Sequence, residues 1–98
     1  MAVVQFSVVP IGTGKPSVSE YVVRAEEIIR SSGIKHRLTP MATVLEGDLD
    51  RIVALILKVH NEIFKMGVER VITRIDIDDR RDKELTMEGK IRSVETKL

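Results

Sequence analysis

The residue with the most suggestive position is Glu46. It closes the apolar segment MATVLE directly before Gly47-Asp48, where a carboxylate can point into a crevice under the start of a following helix. A carboxylate so placed can accept hydrogen bonds from an aminopyrimidine or balance a cation; the plainer reading is a solvated strand end. Tyr21 is the chain's one phenol, and it could equally pack against a sheet edge. Ser7, Ser17, Ser19 and Thr43 supply hydroxyls. No neighbouring base or second carboxylate marks any of them as an activated nucleophile, so nothing here has the pattern of a catalytic centre.

Three other patterns come close to known chemistry and fall short. Gly12-Thr13-Gly14-Lys15-Pro16-Ser17 brushes against a phosphate-binding loop, but Val9 stands where the first glycine is needed and Pro16 where the hydroxyl is needed. Asp76, Asp78, Asp79 and Asp82 resemble hard-cation ligands, yet the order and glycine of a calcium loop are missing and Arg80, Arg81 and Lys83 are interleaved. A salt-linked strand end is expected instead. His36 and His60 have neither the spacing nor the neighbours of a zinc pair.

Composition narrows the classes further. Sixteen basic residues against fifteen acidic ones leave a net charge of +1, too weak a field to hold a nucleic-acid backbone or an anionic membrane. The absence of cysteine excludes disulfides, thiolate metal sites and cysteine nucleophiles. Phe6, Tyr21 and Phe64 are the only aromatics, too few for a base-stacking platform. The apolar start MAVVQFSVVP lacks a basic lead and a cleavage site, and nowhere do eighteen apolar residues run together. A cytoplasmic protein of one domain, residues 1–98, is expected, with no metal or cofactor site.

The positioning elements can be read from periodicity. Residues 2–9 alternate as a strand stopped by Pro10. Ser17 and Glu20 suggest a capping box before a helix whose apolar stripe runs from Val18 to Ile29 and ends at Gly33. IKHRLT and MATVLE read as an antiparallel hairpin around Pro40. Asp48 should cap a second helix that extends to Gly67 and carries more apolar surface than one sheet face needs. Residues 69–78 alternate as a fourth strand, and Met87, Ile91, Val94 and Leu98 mark an amphipathic third helix.

The order β-α-β-β-α-β predicts an α+β ferredoxin-like sandwich, with an antiparallel sheet in the order 4-1-3-2 and an additional C-terminal helix. Val4, Phe6 and Val8 should then face the helices. Gln5, Ser7, Lys35, Arg37, Thr39, Arg74 and Asp76 should lie on the open face. The surplus apolar surface of the last two helices predicts a homo-oligomer, in which Arg37 and Arg74 could form intersubunit pairs; otherwise the third helix folds back onto its own subunit.

The segments VVPIGTG, SVSEYV, LTPMATVLEGD, RVITRIDIDDRRDK and GKIRSVETKL together resemble the small thiamine-binding protein family over nearly the whole chain. The resemblance implies a ferredoxin-like fold, dimers or tetramers (a homotetramer at the upper limit), and binding of thiamine or its hydroxymethylpyrimidine part for uptake, salvage or sequestration. It implies no catalysis, and thiamine as a bound ligand only. It singles out Thr43, Glu46 and the segment 74–81 as characteristic polar positions. The expected pocket, at a sheet end or a subunit interface, has Glu46 reading the aminopyrimidine, Thr43 and Ser19 adding hydrogen bonds and Tyr21 supplying a ring contact, with Arg74 as a further candidate. The alternative is a ferredoxin-like regulatory or scaffold module that senses another metabolite. An acylphosphatase-like enzyme is disfavoured because GTGKPS lacks an arginine.

Overall fold

The alternating β-branched N-terminal segment forms β1 (Ala2–Ile11), which in this computed structural model of residues 1–98 continues through Pro10 instead of stopping before it. The reason lies in its neighbours. β1 pairs with β3 (Thr43–Gly47) only as far as Phe6, whereas its pairing with β4 (Arg70–Asp79) runs on to Ile11. Pro10 therefore sits where β1 has a strand on one side only, and a missing N–H is tolerated there.

The helix α1 (Ser19–Ser32) begins without the expected capping box. Val18 is its N-cap and donates no side-chain cap; Ser17 instead lies against Ser19, with their hydroxyls 3.1 Å apart. Glu20 is drawn off into an ion pair with Lys15 at 2.6 Å. Gly33 ends the helix at φ 75°, in the left-handed region that a side chain would strain. The hairpin joins β2 (Lys35–Leu38) to β3, and Thr39 rather than Pro40 closes its turn. The Thr39 N–H donates to the Ala42 carbonyl at 2.9 Å, and the Ala42 N–H donates to the Thr39 hydroxyl at 3.2 Å.

Asp48 caps α2 (Leu49–Phe64) as expected, accepting from the Arg51 N–H at 3.1 Å, a contact worth about 1 kcal/mol. Thr86 caps α3 (Met87–Glu95) by accepting from Gly89 N–H at 2.9 Å. A Cβ on Gly89 would meet that hydroxyl at 2.8 Å, so the glycine suits the cap.

The sheet order is β2-β3-β1-β4, antiparallel throughout, which is the predicted ferredoxin-like α+β sandwich. Val4, Phe6 and Leu45 on the sheet pack against Ile29, Ile52, Ile56, Val59 and Ile63 on α1 and α2. Arg24 and Glu62 link the two helices at 3.4 Å.

The open face is partly closed by the chain itself. Leu85 and Met87 pack on Val3 and Val44, so the start of α3 folds back onto its own sheet. Further along, Ile91 and Val94 on α3 and Leu98 beyond its end are exposed.

Candidate functional site

A cavity of about 200 Å³ opens between the first turns of α1, the far half of β1 and the β2–β3 hairpin. Phe6 and Val8 point into it because they share the helix-facing parity of β1. Val18, Val22 and Ala25 approach from α1, and Leu38 and Met41 form a lip at the hairpin. Ten of its fourteen lining residues are hydrophobic and none is charged. Two of the three aromatics in the chain, Phe6 and Tyr21, are gathered here. Thr39 uses its hydroxyl to hold the turn, so the remaining polar side chains of the lining are Ser7, Thr43 and Tyr21. A site of this kind suits a flat, mostly neutral ring with a few hydrogen-bonding groups.

Of the residues singled out from sequence, Thr43 and Tyr21 meet in this cavity. Glu46 does not join them. It lies three positions beyond Thr43 on β3, so it projects from the opposite face of the sheet. There it is buried beneath the start of α3, accepting from the Met87 N–H at 2.7 Å and facing the Lys35 ammonium at 3.3 Å. The expected crevice under α2 is thus corrected: the carboxylate serves the N-terminus of α3, where backbone donors are otherwise unfilled.

Lys35 extends this attachment to Glu88 at 2.8 Å. The hydrogen bond from Lys35 holds the Glu88 carboxyl below its ordinary value, and Glu88 in turn raises Lys35. A depressed carboxylate contributes its stability above the unfolded-state value and loses it as pH falls through the folded one. Lys35, being raised, loses its share only in strong alkali. The docking of α3 should therefore be constant across neutral pH and weaken on acidification. The Met87 amide resonance, followed into acid, should report this, and Glu88→Gln should remove the part of the transition due to Glu88.

Ser19 begins α1, exposed and turned toward Ser17 outside the cavity lining. Arg74 lies on the open face of β4 opposite Ser7, also exposed and on the other side of the sheet from Thr43. Of the five residues, Tyr21 and Thr43 thus share the cavity, and Ser19, Glu46 and Arg74 each lie elsewhere. The acidic strand end is salt-linked: Arg80 binds Asp82 at 2.5 Å, Arg81 binds Asp79 at 2.9 Å and Lys90 binds Asp78. Arg80 lowers the Asp82 carboxyl to about 2. His36 turns back to the Ile34 carbonyl, and His60 meets the Thr73 hydroxyl at 2.6 Å. Sequence reasoning missed Val22, Ala25 and Leu38, because a search for reactive groups passes over an apolar lining. The available signal was Ala25, a small residue in the helix's apolar stripe.

An antiparallel ferredoxin-like sheet with an apolar, uncharged cavity under one helix defines a small α+β domain with a ligand-sized recess. The chain belongs to the thiamine-binding protein family, whose model matches residues 4–95. It is 45% identical to the UPF0045 protein YqgV of Bacillus subtilis, over all of this chain and 98% of that one. A crystal structure from Methanocaldococcus jannaschii is similar at a TM-score of 0.89 and 37% identity, covering 96% of this chain and 95% of that chain. A Thermotoga maritima structure described as a thiamine biosynthesis/salvage protein is similar at a TM-score of 0.79 and 26% identity, covering 95% and 97%. No helix of the chain is long and apolar enough to cross a membrane.

Proposed function

We propose that this protein is a non-enzymatic binding protein for thiamine or its hydroxymethylpyrimidine part, acting in the cytoplasm in uptake, salvage or sequestration. The observation that carries the reading is the cavity that joins Phe6, Tyr21 and Thr43 in a chain of the thiamine-binding family. The aminopyrimidine enters as a neutral ring against the aromatic side chains, and the hydroxyls of Thr43 and Tyr21 take its polar edge. The thiazolium of thiamine stays at the mouth, beside Leu38 and Met41, because an unpaired cation is costly to bury in a lining without charge. Glu46 has no part in recognition.

The protein acts as a homo-oligomer. Support comes from apolar side chains that the subunit leaves in water, among them Leu57, Phe64, Ile75, Ile77, Ile91 and Val94; each loses roughly 1.5–3 kcal/mol of burial when fully exposed.

Calorimetry with thiamine and hydroxymethylpyrimidine tests the binding reading. Both should bind, thiamine no more than about tenfold more tightly, since the extra thiazolium finds no countercharge. Absence of heat for either ligand at millimolar concentration, with folded protein, contradicts it.

A further inference from the structure

We propose that Arg70 and the loop from Gly12 to Lys15 form a second binding site, which takes the phosphate group of a small phosphate monoester. A recess of about 440 Å³ lies at the end of the sheet where β1 runs out and β4 begins, with Tyr21 lining both it and the ligand cavity. The register that pairs Ile11 with Arg70 sets Arg70 beside the first residue of the loop, Gly12. Arg70 lines the recess, is exposed and has no carboxylate partner in the chain.

The segment GTGKPS fails as a nucleotide motif, yet its backbone is rich in unused donors. The N–H groups of Gly12, Thr13, Gly14 and Lys15 find no acceptor within the chain. Gly12 and Gly14 stand at φ 79° and 78°, with Thr13 at negative φ between them. Such alternation of sign turns successive N–H groups toward one concave side, an arrangement that binds anions. The loop is also held in shape. The Thr13 hydroxyl donates to the Lys15 carbonyl at 3.0 Å, and Lys15 reaches Glu20 on α1 at 2.6 Å. With Lys15 so engaged, the cation that faces the recess is Arg70.

Phosphate suits this donor set because its terminal oxygens accept from a guanidinium and from several N–H groups at once. The recess is larger than the ion alone requires. Ile11, Met66 and Val68 line the remainder, with Ile11 38% and Met66 39% exposed, and they offer an apolar wall to the organic part of an ester. Glu69 is the one acidic residue in the lining. It is exposed and can turn to water, so it weakens the site without closing it.

The amide resonances of Gly12, Thr13 and Gly14 report on this site apart from the ligand cavity. Titrated at matched ionic strength, inorganic phosphate and phenyl phosphate should both shift them saturably. Phenyl phosphate should bind roughly five- to tenfold more tightly, because its ring covers the apolar wall. Arg70→Gln should weaken both about tenfold, and the fold should survive, since the side chain is exposed and unpaired. Glu69→Gln should tighten both roughly two- to fivefold by removing a like charge. Amides that move with neither probe, or that move equally in wild type and Arg70→Gln, overturn the site. Equal affinities for the two probes overturn the ester and leave only the free ion. Neither result touches the thiamine reading, whose calorimetry is run in phosphate-free buffer.

Discussion

Ala25→Phe should weaken binding of hydroxymethylpyrimidine roughly 10- to 100-fold while leaving a folded protein. Ala25 sits on α1, lines the cavity and packs against the core. A phenyl ring there fills the space that the ligand's own ring would occupy, so the transfer energy of about 1.5–3 kcal/mol for burying that ring is lost. The cavity already supplies room, which limits the overpacking penalty to about 1 kcal/mol, and the helix propensity cost adds a few tenths. Calorimetry reads the affinity and a thermal melt reads the fold. Loss of binding with a collapsed melting curve would say nothing about occupancy; Val22→Phe, from the next turn of α1, then provides the second blocking variant.

Glu46→Ala should be the opposite case, a large loss of stability with ligand affinity retained. Its carboxylate is buried and accepts from the Met87 N–H. Without it that donor is left unfilled beneath Leu85 and Met87, a penalty of about 1–3 kcal/mol. The attachment of α3 to Val3 and Val44 should loosen, and amides at the start of α3 should exchange faster with solvent. Glu46→Gln keeps a carbonyl oxygen for Met87 and loses the attraction to Lys35, so its penalty should be smaller. Denaturant midpoints check the stability order, wild type above Glu46→Gln above Glu46→Ala. If Glu46→Gln kept its stability and lost the ligand, the carboxylate would be a ligand group after all.

Much of the fold was legible because its determinants are local. The alternation of Val4, Phe6 and Val8, the Asp48 cap and the Gly33 stop all predict elements that form, and the element order alone specifies the sheet. Ser17 misled because a capping box can be written in sequence without being made. Here Glu20 is engaged by Lys15, a competitor from the preceding loop. Pro10 misled because its tolerance depends on how far β3 reaches along β1, a long-range fact.

The candidate site was less legible. Tyr21 and Thr43 belong to elements joined only by tertiary packing, yet both were singled out and do meet. Glu46 stands three positions from Thr43 on β3, and an odd separation on a strand puts two side chains on opposite faces, so periodicity alone already separates the two. What no periodicity reveals is the partner that Glu46 takes, since Met87 lies forty-one positions further along the chain.

Because Tyr21 is the only tyrosine in the chain, its ring resonances report on the cavity without ambiguity. Titration with hydroxymethylpyrimidine should shift them saturably in the wild type and leave them in place in Ala25→Phe. Binding detected by calorimetry while the Tyr21 ring stays unmoved, or shifts that persist unchanged in Ala25→Phe and Val22→Phe, would contradict the cavity as the ligand site.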